Sequence, residues 1–239
     1  MPDGEYLIES GDYQRTITSS CGCDSIVLIH LTITGENGLE GSLYDGRDNR
    51  TYRTMQYGCQ TWMAEDLRTS YLADGTSPTN SYSLLYFNGY YDPSYAGNAN
   101  GFCPQGWHLP TRDEWNELVN YLKLHGEYVC GESESVVKSM VSDTGWTTSS
   151  VECSPGNNQS ENNLSGLGIK SDGKQWLGPI EKDGSHDRVN FVFLRGTNSY
   201  YATNHYRYDV LSITNDATSI SFEHLDYPYG ARIRCVRND

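Results

Sequence analysis

Phe102-Cys-Pro-Gln-Gly-Trp-His-Leu-Pro-Thr-Arg-Asp-Glu-Trp115 is the stretch on which the fold turns. Thr111, followed three residues later by Glu114, forms a T-x-x-E capping box, the signature of a helix start. Beyond it Trp115, Leu118, Val119 and Leu122 recur at i, i+3, i+4 and i+7, an apolar stripe that stops at Gly126. The spacing predicts a helix over 111–125 with one face in the core and Trp115 packed inward beside Trp107. Both tryptophans read as core, not ligand contacts.

Working outward, the flanks are mostly strand-like. Residues 6–9, 12–18 and 25–33 are β-branched runs separated by Gly/Ser/Cys/Asp clusters. Gly35-Glu-Asn-Gly-Leu-Glu-Gly41 reads as a linker. Asp45 to Cys59 has a turn signal followed by alternation, as a hairpin would, and 60–67 is short and helix-compatible. A shorter helix is expected over 135–142, and strand-like runs return at 189–195, 210–214, 219–223 and 231–237. The expected class is α+β, with short antiparallel sheets, one or two helices and long loops. The expected organisation is an all-β segment at 1–35, a linker at 36–41 and the main domain at 42–239.

Composition limits the function. The chain has 239 residues and a formal net charge of −14, and only 36% of it is hydrophobic. With no basic run to displace counterions, nucleic acid and anionic membrane are unfavourable partners. The 12% aromatic content argues against disorder. No apolar stretch approaches the roughly 18 residues of a spanning helix. Seven cysteines, at 21, 23, 59, 103, 130, 153 and 235, lack the C-x-x-C knuckles of a structural zinc site. Their spread suits disulfides and an oxidising compartment, with any leader cut away or outside this sequence. Cys130 and Cys153 bracket one local segment, and Cys103 with Cys235 would tie mid-chain to the last strand. Buried free thiols are the alternative for both pairs.

Three blocks carry a resemblance: Tyr57-Gly-Cys-Gln-Thr-Trp-Met-Ala-Glu-Asp-Leu67, the opening stretch 102–115, and Ile233-Arg-Cys-Val-Arg237. In this order and spacing, residues 42–239 resemble the Fibrobacter succinogenes major paralogous domain. That resemblance implies a secreted or surface-attached module with a C-type-lectin-like fold. Members usually carry Trp-Ser-Ser-Thr before the final strands, whereas this chain has Phe191-Val-Phe-Leu-Arg-Gly196 and then a Tyr-rich segment. In that part it is similar to a related branch, the formylglycine-generating-enzyme-like domains and the variable proteins of diversity-generating retroelements. Residues 9–13 with 22–33 resemble the closing half of a β repeat of secreted Bacteroidetes-type proteins. In that repeat the cysteine of Gly-Cys-Asp-Ser has an upstream partner not present here, which strands Cys23 or directs it to Cys21 or Cys59.

Catalysis finds little support in the residues. The related enzyme branch depends on a late pair of reactive cysteines, and after Cys153 only Cys235 remains. The six histidines accompany no nucleophile motif, and a G-x-S-x-G elbow is missing. Any acidic chain offers paired carboxylates for glycoside hydrolysis, but nothing singles out two. The Glu-Pro-Asn, Gln-Pro-Asp and Trp-Asn-Asp triplets of calcium-dependent lectins of this fold do not occur. Asp45-Gly-Arg-Asp-Asn49 offers hard oxygens but is no EF-hand loop and reads as a solvated turn. No metal and no cofactor are expected.

What remains is 197–229, where six of 33 residues are tyrosine among Asn, Asp, Ser and His. Such loops combine rigid amphipathic rings with short adaptable polar groups, the chemistry of antibody paratopes. The candidate ligand-binding residues are Tyr200, Tyr201, Asn204, His205, Tyr206, Tyr208, Asp209, Tyr227 and Tyr229. Tyr86, Tyr90, Tyr91 and Tyr95 could enlarge the surface. In the retroelement-diversified branch the ligand face lies in this late segment, and its composition fits. The competing reading is that alternate tyrosines pack one face of a sheet. The expected function is a non-catalytic extracellular or cell-surface module for a glycan or protein ligand. The alternatives are a structural spacer of a large surface protein and a carbohydrate-active enzyme.

Overall fold

The structure is a computed structural model. It describes residues 11–18, 24–31, 38–76, 86–87, 90–91, 101–132, 134–171, 175–176, 190–193, 199–200, 206–226, 229–230 and 232–237. The chain divides into two compact units, Met1–Glu36 and Asn37–Asp239.

In the first unit β1 (Gly11–Thr18) pairs antiparallel with β2 (Asp24–Leu31), in a register running from Gly11 opposite Leu31 to Thr18 opposite Asp24. Both match the expected runs. Ile26 and Leu28 are exposed, so the apolar run of β2 is uncovered among the described residues.

The second unit is α+β. Strands β3 (Leu39–Asp45), β4 (Arg50–Tyr57) and β5 (Gln60–Met63) form a meander. β6 (Tyr86–Phe87) and β7 (Tyr90–Tyr91) form a small hairpin, and β8 (Trp107–His108) precedes helix α1 (Arg112–Leu124) and the one-turn α2 (Val137–Met140). Then come β9 (Gln175–Trp176), β10 (Asn190–Phe193), β11 (Ser199–Tyr200), β12 (Tyr206–Ile213), β13 (Ser221–Asp226), β14 (Tyr229–Gly230) and β15 (Val236–Arg237). The principal sheet has the order β3-β4-β5-β15-β8, and a second sheet places β12 between β10 and β13, with β11 also paired to β12.

The C-terminal strand is therefore internal: Val236 lies opposite Trp62 of β5 and His108 of β8. Successive side chains leave a strand on opposite faces, and here each face has its own core. Trp62, Met55, Tyr57 and Val236 join α1 in a first core with Trp115, Leu118, Leu122, Met140, Leu211 and Ile213. Met63, Tyr52 and Cys235 face a second core with Leu67, Phe102, Trp107, Leu109, Val210 and Ile233.

Several expectations change. Trp115 does not pack beside Trp107: the two lie in different cores, and the partner of Trp115 is Trp62, ring centroids 4.4 Å apart. Residues 60–63, read as helix-compatible, form β5, because pairing with β4 and β15 gives their backbone a ladder that isolated propensity does not foresee. The linker reading of 36–41 gives way at Leu39, where β3 begins. Gly41 is not flexible spacing: it lies in β3 opposite Thr54, and a Cβ there would meet Thr54 Oγ1 at 2.8 Å, so a larger residue would have to displace that buried hydroxyl. The second helix shortens to 137–140 because Ser135 bridges Cys130 and Val141 bridges Ile169, drawing both flanks into β pairing. α1 ends at Leu124 with His125 as its C-cap, and Gly126 opens a single 3-10 turn through Tyr128. Among the described residues of the expected run 231–237, only Val236 and Arg237 form a strand, whereas β12 begins four residues earlier than the run at 210.

Candidate functional site

The three sequence blocks converge, and their chemistry builds the scaffold. Arg234 is fully buried. Its Nε donates to Asp66 Oδ1 at 2.8 Å, Nη1 donates to the Leu167 carbonyl and Nη2 donates to Gly168 O at 2.8 Å. Arg232 Nε lies 3.6 Å from the other carboxylate oxygen of Asp66. A buried guanidinium is tolerated only when paired and hydrogen-bonded, and block one supplies the carboxylate for block three. Cys103 of block two is bonded to Cys235 of block three, and Cys130 to Cys153, so both expected pairs are disulfides. Cys59 is a free, exposed thiol on the β4–β5 turn, whereas Cys21 and Cys23 lie outside the described residues.

Around the α1 cap, Thr111 Oγ1 accepts from Glu114 N–H at 3.1 Å, while Glu114 Oε2 accepts from Thr111 N–H at 2.6 Å. Glu114 Oε1 accepts from His108 Nε2 at 2.6 Å. Burial opposes ionisation of this carboxyl, but the Thr111 and His108 hydrogen bonds outweigh it and hold the pKa below its ordinary 4.5. A depressed carboxylate contributes stability above its unfolded pKa and loses that contribution as pH falls through the folded value. Thr111→Ala is therefore expected to cost about 1 kcal/mol at neutral pH and to flatten the acid limb of the stability curve. Urea titrations between pH 3 and pH 7 measure both, and an unchanged neutral stability would place the helix start elsewhere.

The Asp45–Asn49 turn is not the solvated turn the sequence suggested. Asp45 is 2% exposed, and Arg47 forks onto its carboxylate, Nε to Oδ1 at 2.9 Å and Nη2 to Oδ2 at 2.7 Å. Burial alone would raise the Asp45 pKa, but the hydrogen bonds and charge of Arg47 hold it down. The fork occupies the oxygens a hard cation would need. Arg47 Nη1 also donates to Tyr71 O at 3.2 Å and Phe102 O at 2.7 Å.

Lys138 is 5% exposed and donates to the carbonyls of Asn157 and Asn158. Burial pushes its amine pKa down and nearby Glu161 opposes this. Tyr57 is buried, its hydroxyl donates to Ser165 O at 2.8 Å, and its pKa is raised by that burial. Among the described residues no three His, Cys, Asp or Glu side chains form a metal-binding group. An open depression of about 540 Å³ lies between Ala73–Asp74 and Cys103–Trp107.

The expected tyrosine face falls largely beyond what the structure describes. Tyr201, Asn204, His205 and Tyr227 lie outside the described residues, as do the side chains of Tyr200, Tyr206, Tyr208, Asp209 and Tyr229. The backbone brings Tyr200 opposite Tyr206, Tyr208 opposite Leu225 and Asp209 opposite His224, while Tyr229 lies opposite Trp176 in a separate two-stranded sheet. The sequence reading overlooked Asp66, Arg234, Arg47 and Lys138. The first two carried a signal, since opposite charges stood inside blocks one and three.

Residues 55–237 match the sequence model of the Fibrobacter succinogenes major domain. The chain belongs to that family. The match spans all three blocks, so the Asp66–Arg234 pair, the Cys103–Cys235 disulfide and the capping box are framework of this major domain. No curated protein and no solved structure matches the chain. Among the described residues of the major domain no helix is long and apolar enough to cross a membrane.

Proposed function

We propose that this major domain is a non-catalytic recognition module, exported and displayed outside the cell, that binds a glycan or an exposed protein through residues 197–229. The construction of β12 carries the reading. Its C-terminal half is clamped from both faces, with Val210 in one core and Leu211 and Ile213 in the other, all fully buried. The same strand runs back to Tyr208 and Tyr206, which places part of a Tyr/Asn/His-rich segment on a rigid support. Recognition surfaces are commonly variable polar-aromatic segments carried by such scaffolds.

The buried and half-buried acid–base groups named above support binding over catalysis, because they are engaged in holding the fold. Glu114 and His108 serve the α1 cap, Asp66 serves Arg234, Asp45 serves Arg47 and Lys138 holds two carbonyls. Two disulfides and a net charge of −14 support an exported domain in an oxidising compartment. The composition of the late segment also fits a retroelement-diversified variable protein. Glycan arrays and pull-downs should retain ligand on the wild type and lose it on Tyr201→Ala/Tyr206→Ala. Equal retention by both proteins overturns the assignment of this face.

A further inference from the structure

The depression between Ala73–Asp74 and Cys103–Trp107 is walled by two turns, and both are held in place. On one rim Leu72 N–H donates to Thr76 O and Gly75 N–H donates to Leu72 O, each at 2.9 Å. Asp74 Oδ1 accepts from Thr76 N–H at 2.8 Å and from Thr76 Oγ1 at 2.6 Å. On the other rim Trp107 N–H donates to Pro104 O at 2.9 Å, and Cys103 is bonded to Cys235 of the second core. The rims are also tied to each other. Ala73 N–H donates to Gly101 O at 2.9 Å, and Arg47 donates to Tyr71 O and Phe102 O together.

Three polar groups on these walls are left over once the fold is satisfied. Trp107 is 7% exposed and sits in the second core, yet its indole N–H makes no hydrogen bond among the described residues. A buried indole N–H ordinarily finds an acceptor. The exposed Gln105 carboxamide is likewise unengaged among the described residues. Asp74 is exposed and keeps Oδ2 open, while the Thr76 hydrogen bonds hold its carboxyl below its ordinary 3.8, so it is ionised at neutral pH. Between Gln105 and Trp107, Gly106 has φ +84° and no heavy atom within 4 Å of where a Cβ would stand, so this turn faces open space.

We propose that this depression is a second contact site, for an uncharged sugar ring whose hydroxyls meet Trp107 Nε1–H and Gln105 on one rim and Asp74 Oδ2 on the other. This rests on the recognition reading above and adds a site and a ligand class to it. The volume of about 540 Å³ lies in the range of small-molecule sites. Hydrogen-bond inventory selects the class. A lysine or arginine side chain has donors only, so it would use Asp74 and leave the indole N–H unanswered. An anion is repelled by Asp74 and by the −14 charge. A hydroxyl both donates and accepts, so neighbouring hydroxyls of one ring satisfy the carboxylate, the carboxamide and the indole at once. Peptide amides offer both functions too, but spaced along a chain. Ala73 and Pro104 leave apolar wall for the C–H face of the ring.

Nuclear magnetic resonance titration of the full chain tests this, because its five tryptophans give separate indole N–H signals. The Trp107 signal is the one absent from Trp107→Phe, which keeps an aromatic ring in the core. The probes are cello-, xylo-, manno- and maltohexaose, with a Gly/Asn/Ser peptide, oligolysine and oligogalacturonate as controls. At least one neutral oligosaccharide should shift the Trp107 signal. Its affinity should fall about fivefold in Trp107→Phe and about tenfold or more in Asp74→Ala, a surface change that leaves the core intact. A Trp107 signal moved by no neutral oligosaccharide, or moved by the peptide or oligolysine alone, overturns the proposal. So does unchanged affinity in Asp74→Ala and Gln105→Ala. An oligosaccharide that binds without moving Trp107, and is lost in Tyr201→Ala/Tyr206→Ala, overturns this site and leaves the late face standing. A Trp107 shift that persists in that tyrosine variant supports the depression on its own.

Discussion

Removing the Cys103–Cys235 disulfide by a double alanine substitution is expected to lower the unfolding free energy by about 5 kcal/mol. The bond spans a sequence separation of 132, and closing so long a loop removes much of the freedom of the unfolded chain. Both half-cystines are fully buried in the second core, so two small cavities add to the loss. The Cys130–Cys153 bond spans 23, and the same chain-entropy argument assigns it about 3.5 kcal/mol. Denaturant titrations of the two double variants should therefore rank them, with the long-range pair the more damaging. The reverse order would mean that loop closure is not what the long disulfide contributes, and that the second core holds its shape without it.

Arg234→Met is the second large effect. The substitution keeps the length and apolar stem of the side chain but removes the charge that Asp66 faces and the donors to Leu167 O and Gly168 O. Breaking one side of a buried pair costs about 3–5 kcal/mol, because the remaining charge stays desolvated. Asp66 is 6% exposed, and its nearest other cation, Arg232, stands 3.6 Å away, which softens the loss without cancelling it. In a double-mutant cycle, adding Asp66→Asn to Arg234→Met should recover part of the stability. Strict additivity in urea titrations would show that the two side chains act independently and that the carbonyl contacts carry the cost.

Helix α1 was legible because its determinants are neighbours in the chain. A cap acts over three residues and an apolar stripe over eight, and both survive in the structure at Thr111–Glu114 and Trp115–Leu122. The β1–β2 pair and the β3–β4 turn were legible for the same reason, as local alternation between turn residues. The proposed recognition face was legible only as composition. Tyrosine, asparagine and histidine suggest an adaptable surface, but where each lies in a sheet depends on register with distant strands, as the pairing of Tyr229 with Trp176 illustrates.

Other features were invisible to a local reading. Gln60 to Met63 carries no strong strand signal and becomes a central strand because β4 and β15 flank it. Arg47 and Asp45 stand two residues apart in a stretch that reads as an exposed turn, yet Phe102, distant in sequence, completes their cage. Trp107 and Trp115 share one block and diverge into separate cores, because Trp107 leaves β8 toward the second core while Trp115 lies on α1, which packs into the first.

By itself, then, the sequence determined the family, the α+β class and the capped helix, all encoded in short-range spacing and side-chain chemistry, and it offered the two cysteine pairs with free thiols as their alternative. The tertiary structure alone decided that the final strand would enter the sheet between β5 and β8, dividing two cores, and that Asp66 would meet Arg234. The physical reason is that burial is collective: a charge or a strand is stabilised inside a protein only by groups that the rest of the fold brings to it, and spacing along the chain does not record their arrival.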